Sequence, residues 1–253
     1  MIMNKTTIVI NPQQIQFADF VQAIHRRFDK EGTVIFKNRN EIRVFEVNGI
    51  SINVKRFHTP YLINRIIYTF LSRSKAKRSY QFALQLRDMG IDTPEPVAYI
   101  CIKRGGLLDE SYYISRQADY PRNMYEFGQG GIIGREHILE AFATLTASLH
   151  EKGIFHKDYS PGNILFKEEN GAVSFCLVDI NRMRFGPVSI RQGCANFARL
   201  WGQRPFFELV VRKYAEIRQA DSTLCIQQAL QARCKFWKRY TRKHPVPFLP
   251  LDI

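Results

Sequence analysis

The chain has 253 residues and a formal charge of +14, from 37 lysines and arginines against 23 aspartates and glutamates. This length suits one bilobal domain, or two lobes that share a cleft, rather than a string of modules. Because 45% of the residues are hydrophobic and 13% are aromatic, the composition excludes a globally disordered chain. The charge favours an anionic partner, such as a nucleotide, a phosphorylated glycan, a membrane surface or a nucleic acid, without choosing among them.

The first half of the chain predicts one helix and three consecutive β-strands. Apolar residues from Phe17 to Phe28 recur at helical spacing, so residues 15–30 predict a helix that ends before Gly32. The segments TVIFK, IRVFEV and SINVKRF in residues 33–57 predict three strands. The Asn-Gly pair before the third segment is a strong hairpin signal.

A second helix is predicted over residues 74–89. Phe82, Leu86 and Met89 are expected to form its apolar face, and Gly90 stands where a C-terminal cap would. The segment TPEPVAYI predicts an extended connection into a strand, because proline disfavours helical backbone at the residue before it. The segment SYYISRQ predicts another strand.

From about residue 136 the pattern becomes helical, with apolar residues from Ile138 to Leu149 at helical spacing and a stop at Gly153. A polar loop, the apolar strand VSFCLVDI and a largely helical remainder follow. This order predicts an α+β fold. Its N-terminal lobe, residues 1–118, would hold a sheet and one main helix, and residues 119–253 would form a mostly helical C-terminal lobe.

The segment HKDYSPGN carries the most informative chemistry. Phosphoryl transfer needs a carboxylate beside the attacking hydroxyl and oxygen ligands for magnesium. Asp158 and Asn163, five residues apart on one loop, supply a carboxylate and an amide oxygen. Asp179, at the end of VSFCLVDI, would supply the second metal ligand. The simpler alternative is a capped loop whose Asp and Asn bond their own backbone.

HKDYSPGN resembles the protein-kinase catalytic loop H-R-D-x-x-x-x-N, and Asp179-Ile180-Asn181 stands where D-F-G stands. The resemblance implies a protein-kinase-like bilobal fold. It also implies that Asp158 is the catalytic base, that His156 orients the loop, and that Asn163 and Asp179 hold Mg²⁺. Asn181 replaces the glycine, and asparagine is a residue that tolerates positive φ, so the turn is expected to survive.

The nucleotide half of the site departs from the kinase pattern. Lys55 in NVKRF resembles the lysine of V-A-I-K that anchors ATP, although a lysine at a strand end is otherwise a solvated charge. The next helix has no glutamate to pair with it, and Gln81 is the best-placed polar substitute. No glycine-rich loop is present; backbone amides of Asn38 and Arg39 in KNRNEI could cover the phosphates, or this turn is an ordinary hairpin tip.

As a whole, the chain resembles the bacterial lipopolysaccharide core kinases, the Kdo and heptose kinases, from about residue 30 to residue 190. The resemblance rests on KNRNEI, NVKRF, SKAKRSY, GIDTPEPVAYI, SYYIS, HKDYSPGNIL and LVDINRMRFG. It implies an enzyme that uses ATP and Mg²⁺ to phosphorylate a sugar hydroxyl of an anionic glycolipid, the lipopolysaccharide inner core. It also implies a cytoplasmic protein that works at the inner leaflet of the inner membrane.

Three other functions remain open at this point. The same fold could act on a protein acceptor, although NRMRFGPVSIRQ after Asp179 lacks an A-P-E ending and so favours a glycan or small molecule. Gln81 and the missing glycine-rich loop allow a pseudokinase that binds nucleotide or lipid as a scaffold. Nucleic-acid binding would use the basic C-terminal region, but no recognised motif supports a specific nucleic-acid partner.

The sequence contains two basic segments. The run from Arg73 to Arg78, at the start of the second helix, hints at a ligand, because the helix dipole does not favour cations at that end. The other is a C-terminal segment in which basic residues alternate with aromatic ones, and it could lie on an anionic membrane or hold the phosphates of a glycolipid. Its alternative is a terminal helix with an aromatic core face and a solvated basic face. The members of this segment are Arg233, Lys235, Phe236, Trp237, Lys238, Arg239, Tyr240, Arg242 and Lys243.

The five cysteines, odd in number and without a CxxC pair, predict neither a zinc site nor a disulfide framework and favour a reducing cytosol. The N-terminal segment does not have the pattern of a secretory signal. No stretch approaches the roughly 20 apolar residues of a membrane span, so any membrane contact is expected to be peripheral. The oligomeric state is left open.

Overall fold

The computed structural model describes residues 4–59, 68–69, 73–128 and 131–244. The backbone divides into two compact units, residues 1–119 and residues 120–253. No described helix combines the length and the apolar character needed to span a bilayer.

The first unit is built on one antiparallel sheet with the strand order β1-β5-β6-β4-β3-β2. Its described helices are α1 (Ala18–Arg27), which follows a 3₁₀ turn, and α2 (Lys75–Asp88). The strands are β1 (Lys5–Ile10), β2 (Thr33–Lys37), β3 (Glu41–Val47), β4 (Ile50–Phe57), β5 (Pro96–Arg104) and β6 (Leu107–Arg116).

Helix α1 covers one face of this sheet. The apolar stripe that the sequence predicts is buried, and it joins strand residues in one hydrophobic core. The ring of Phe28 lies 5.5 Å from that of Tyr112, and the guanidinium groups of Arg43 and Arg56 lie 5.2 and 4.4 Å from its centroid. Two guanidinium groups within cation–π distance of the Phe28 ring add attraction to the burial of its apolar area.

Helix α2 packs on β5 and β6, but not entirely through the predicted face. Leu86 is buried as expected, whereas Phe82 and Met89 are only half-buried. The buried face also includes Ala76, Tyr80 and Ala83, and the ring of Tyr80 lies 5.3 Å from that of Tyr99. The prediction considered only the large apolar side chains, whereas the face that packs on the sheet also contains two alanines and a tyrosine. The Ser74 side chain caps the helix by accepting from the Lys77 N–H at 3.1 Å.

The second unit contains a three-stranded sheet of order β10-β9-β7 and the pair β11-β8. Its helices are α3 (Glu136–Glu151), α4 (Ile190–Asn196), α5 (Arg204–Ile217) and α6 (Ser222–Tyr240). Its strands are β7 (Arg122–Asn123), β8 (Ile154–His156), β9 (Ile164–Glu169), β10 (Ala172–Leu177) and β11 (Met183–Phe185).

The C-terminal basic segment lies mostly in α6 and has an aromatic core face, as the alternative interpretation predicts, but Arg233 is not on the solvated basic face. Arg233 is 1% exposed; it donates to the Gly202 carbonyl at 2.8 Å and stacks over the Phe207 ring at 4.7 Å. Trp237 is likewise buried. Burial of a guanidinium is tolerated here because it has a carbonyl acceptor and an aromatic face.

Candidate active site

A tyrosine anchors the predicted catalytic loop, which runs from β8 through a 3₁₀ turn (Pro161–Asn163) into β9. The Tyr159 side chain is fully buried beneath the loop, with its ring 5.7 Å from that of Phe142. Its hydroxyl lies 2.9 Å from Thr146 Oγ1, which itself donates to the Phe142 carbonyl. Asp158 is the residue before Tyr159, so its backbone is held by a side chain that is fixed in the core.

His156 ties this loop to the strand end that precedes Asp179. Its Nδ1 accepts from the Asp158 backbone N–H and its Nε2 donates to the Val178 carbonyl, both at 3.1 Å. This pattern assigns the proton to Nε2. Burial lowers the pKa of His156, so the ring stays neutral and can accept through Nδ1.

Asn163 and Asp179 are brought to the same end of the sheet. Asn163 Nδ2 donates to the Asp158 carbonyl at 2.8 Å, a bond that does not use the amide oxygen of the side chain. The Val178 N–H donates to the Asn163 carbonyl at 3.0 Å, which places Asp179 one residue further on. Two hard oxygen ligands fit Mg²⁺, because this ion keeps several waters and phosphate oxygens in its shell.

The turn at Asp179 differs from the expectation for Asn181. The positive φ, 53°, belongs to Asp179 itself, and Asn181 lies in a 3₁₀ turn. Asn181 instead donates through Nδ2 to Asp179 Oδ1 at 2.5 Å. The asparagine thus orients the carboxylate rather than supplying an unusual backbone conformation.

Two arginines that the sequence analysis did not single out as site residues face the Asp158 carboxylate. Arg199 Nη2 lies 2.7 Å from Oδ1, and Arg182 Nη1 lies 3.9 Å from Oδ2. The Arg199 guanidinium also stacks on the Phe236 ring, 5.1 Å from its centroid. Both arginines follow Asp179 in the chain at spacings that match no motif, so only the fold reveals them.

An aromatic cluster lies beside the same carboxylate. The Tyr125 ring packs 4.7 Å from that of Trp201, which lies 5.6 Å from that of Trp237. Burial is the main cause of the raised pKa of Tyr125. Tyr240 and Asp158 raise it further, and Arg199 opposes the rise. The Tyr125 hydroxyl is therefore within electrostatic reach of the site.

A buried chain of polar side chains supports the loop from behind. Arg218 Nη1 donates to the Tyr214 hydroxyl, which donates to His150 Nδ1, each at 2.9 Å. His150 Nε2 then donates to Asn196 Oδ1 at 3.1 Å, and Asn196 Nδ2 donates to the His156 carbonyl at 3.0 Å. We call these five residues the support chain. The Tyr214 hydroxyl has an acceptor only while His150 is neutral, because a protonated imidazole donates through both of its nitrogens.

We expect the free energy of unfolding to fall between pH 6.5 and pH 5. Burial lowers the pKa of His150 from 6.5 to about 4, so across this interval the unfolded chain binds a proton that the folded chain does not. Stability is therefore retained above pH 6.5 and lost on acidification, by about 2 kcal/mol at pH 5. Burial of His156 acts in the same direction. Urea titrations at half-unit pH intervals measure the effect.

Two histidine variants make this pH measurement specific. His150→Gln keeps one donor and one acceptor without a titrating ring, so the fall should shrink to the part that His156 contributes. His137→Gln replaces a half-exposed histidine that contacts Glu168 at the surface, so the fall should remain. A wild-type stability that is flat between pH 6.5 and pH 5 would contradict the assignment of a neutral buried His150.

The residues predicted to hold the nucleotide lie in the first unit. Lys55 Nζ lies 5.3 Å from the centroid of the Phe57 ring, and Lys75 Nζ lies 6.0 Å from the same centroid. Gln81 Oε1 accepts from Arg73 Nη1 at 3.0 Å, a contact that the sequence analysis did not predict. Its predicted pairing with Lys55 stays a prediction.

Asn38 and Arg39 are exposed at the tip of the β2–β3 hairpin. The Asn38 N–H donates to the Asn40 carbonyl at 3.0 Å, within that tip. An amide engaged in this way is not available to a phosphate unless the turn opens. The covering of phosphates by this turn therefore stays a prediction, and the ordinary hairpin geometry is what the structure displays.

A solved structure described as WaaP in complex with acyl carrier protein is similar to the chain, with a TM-score of 0.62 and 15% identity. The match covers 94% of this chain and 98% of that one, and at this identity it shows the fold. Among curated proteins, none matches the chain.

The family is shown by a separate comparison. Residues 28–216 match the model of the lipopolysaccharide kinase (Kdo/WaaP) family, and the chain belongs to that family. The predicted resemblance and class of enzyme are thereby confirmed: the family consists of kinases whose acceptor is an alcohol group of lipopolysaccharide. Membership in a kinase family implies use of ATP and a glycolipid acceptor.

Proposed function

We propose that this enzyme transfers the γ-phosphate of ATP, with Mg²⁺, to a sugar hydroxyl of Kdo or heptose in the lipopolysaccharide inner core. The observation that carries this proposal is the grouping of Asp158, Asn163 and Asp179 on one rigid loop and the adjoining strand end. A phosphotransferase needs these three groups together, a base and two oxygen ligands.

Asp158 would accept the proton of the acceptor hydroxyl and orient its oxygen. The backbone N–H of Asp158 is held by His156, and its carboxylate is held by Arg199. Such positioning is most of what a protein contributes to phosphoryl transfer. Asn163 and Asp179 would hold Mg²⁺, which neutralises charge on the phosphates.

Lys55 would bind the phosphates of ATP. It shares the Phe57 ring with Lys75, so two cations are gathered near the N-terminus of α2. That helix end adds the positive pole of its dipole. Gln81 would support Lys55, and Asn38 and Arg39 would cover the nucleotide in place of a glycine-rich loop.

The reaction would take place in the cytoplasm, on the inner face of the inner membrane. The charge of +14 supports contact with anionic headgroups. Within α6, the side chains available for such contact are Lys235, Lys238 and Arg239, which are exposed, and not Arg233. The acceptor glycolipid is itself anionic and would be attracted by the same charge.

Mass spectrometry of core glycolipid tests this proposal. Cells with the gene should carry one phosphate more per core than cells without it, and fragmentation should place it on Kdo or heptose. Purified protein with ATP and Mg²⁺ should add the same phosphate to glycolipid from the deleted strain. Transfer only to protein would favour a protein kinase, and no magnesium-dependent turnover on either acceptor would favour a nucleotide-binding scaffold.

A further inference from the structure

We infer that the surface around Asp158 binds an anionic sugar: Arg199, assisted by Arg182, pairs with a carboxylate or phosphate on the acceptor, and the Tyr125 ring stacks on the sugar. The inference rests on the proposed function, because it assigns Asp158 to the acceptor hydroxyl. We call Tyr125, Arg182, Arg199, Trp201 and Phe236 the acceptor cradle.

The charge around the base favours an anion. The Asp158 carboxylate, with one negative charge, faces the two guanidinium groups of Arg182 and Arg199. The loop residues between Asp158 and Asn163, Tyr-Ser-Pro-Gly, include no cation. The two guanidinium charges against one carboxylate leave one positive unit within this group of three side chains.

Arg199 is held in a pose that leaves donors for a ligand. Its Nη2 bonds Asp158 and its flat face rests on Phe236, which fixes the plane of the guanidinium. The side chain is 34% exposed, so solvent-side atoms can be reached. Its Nε is buried and has no hydrogen-bond partner among the described residues. A guanidinium has five N–H donors in a planar fork, the geometry that suits a carboxylate or phosphate.

Tyr125 supplies an apolar face next to the same base. The residue is 40% exposed, and its ring lies directly on the catalytic loop: a Cβ added to Gly162 would be 2.7 Å from Tyr125 Cε2. The Trp201 ring packs against the Tyr125 ring in an edge-to-face arrangement, with the two centroids 4.7 Å apart. An aromatic ring held rigidly beside charged groups is suited to a ligand with one apolar face and several polar edges, which a pyranose is.

The contact between Arg199 and Asp158 indicates that Arg199 faces the acceptor and not ATP. The carboxylate that takes the proton must lie beside the acceptor oxygen. A guanidinium at 2.7 Å from that carboxylate is therefore placed toward the acceptor. Arg199 is a binding and positioning residue in this arrangement, and its effect should fall on the acceptor and not on ATP.

Tryptophan fluorescence measures acceptor binding without catalysis. The chain has two tryptophans, and Trp201 and Trp237 both belong to the aromatic cluster beside the site. The probes are a deacylated inner-core oligosaccharide that contains Kdo and the same oligosaccharide with its carboxylates converted to amides. In the absence of ATP, the acidic form should change the fluorescence at a Kd about tenfold lower than that of the amide form.

Variants assign this preference to single residues. Arg199→Gln should remove the preference for the acidic form and raise the KM for acceptor about tenfold with the KM for ATP unchanged. Tyr125→Leu should weaken both forms about equally, and Tyr125→Phe should bind like wild type. The exposed Arg212→Gln on α5, which also removes one positive charge, should match wild type. Arg199→Lys keeps the charge and should retain a reduced preference even if Arg199→Gln folds poorly.

Equal binding of the acidic and amide forms by wild-type protein would overturn the inference. So would an Arg199→Gln variant whose defect lies in the KM for ATP, since the arginine would then serve the nucleotide. The two proposals fail separately. Carboxylate-dependent binding without phosphorylation of the glycolipid would support the acceptor cradle and contradict the proposed reaction. Phosphorylation of the glycolipid without a preference for the acidic form would support the proposed reaction and contradict the acceptor cradle.

Discussion

Replacing Asp158 with asparagine is expected to lower kcat about 10³-fold, because the variant keeps the shape of the side chain and loses the proton acceptor. The KM for ATP should change little, since the groups assigned to the nucleotide and the metal, Lys55, Asn163 and Asp179, are untouched. The measurement is the initial rate of phosphate transfer to inner-core glycolipid at saturating ATP and Mg²⁺.

Two controls distinguish the loss of the proton acceptor from a loss of folded structure. The Asp158 backbone contacts to His156 and Asn163 do not use its carboxylate, so the loop should remain in place and the thermal midpoint should stay close to that of wild type. Asp88→Asn removes an exposed carboxylate at the end of α2 and should leave the rate unchanged. Full activity in Asp158→Asn would show that this carboxylate is not the base.

Local sequence patterns were sufficient for part of the fold. The stripe from Phe17 to Phe28 and the Asn48-Gly49 hairpin each specify a structure within a few residues, and both are present. Strand β1 was not predicted, although five of its six residues are β-branched and favour a strand. What the local sequence could not show is its place in the sheet, which depends on pairing with β5 almost a hundred residues away, from Lys5 opposite Lys103.

The site residues that the sequence predicted are also specified locally, whereas those that it missed depend on long-range packing. Asp158 and Asn163 lie on one loop at a fixed spacing, so a motif reveals them, and β10 delivers Asp179 to the same place. Arg199 and Tyr125 arrive from a 3₁₀ turn after α4 and from a 3₁₀ turn after β7. Their sequence distance to Asp158 is not constrained by any local geometry, so only tertiary packing could place them there.

Burial was the hardest property to predict for charged and polar residues. Arg233 belongs to a run of cations that resembles a surface face, yet it is enclosed, because Gly202 and Phe207 provide an acceptor and a ring. His150 ends an ordinary amphipathic helix in the sequence, yet it occupies the centre of the support chain. In each case the compensating partner comes from a distant element.

Gly193→Ala is expected to destabilise the protein by about 3 kcal/mol, although alanine is the better helix former by about 1 kcal/mol. Gly193 lies in α4 against the support chain. A Cβ there would lie 1.9 Å from the Tyr214 hydroxyl and 2.9 Å from His150 Nδ1, so it would separate the two. Since Asn196 links His150 to the His156 carbonyl, the disturbance should reach the catalytic loop and lower kcat as well.

Thermal unfolding gives the first test, with an expected fall in the midpoint of roughly 10 °C for this variant. Gly131→Ala is the matched control: a Cβ there meets nothing within 4 Å, so stability should stay within about 0.5 kcal/mol of wild type. Combining Gly193→Ala with Tyr214→Phe removes the oxygen that the Cβ would strike, and the double variant should be less destabilised than the sum of the two single ones. Two outcomes would contradict this prediction: strictly additive changes in stability in the double variant, or a Gly193→Ala protein as stable as helix propensity alone predicts. Either would mean that the close packing of α4 on the support chain does not hold the loop that carries Asp158.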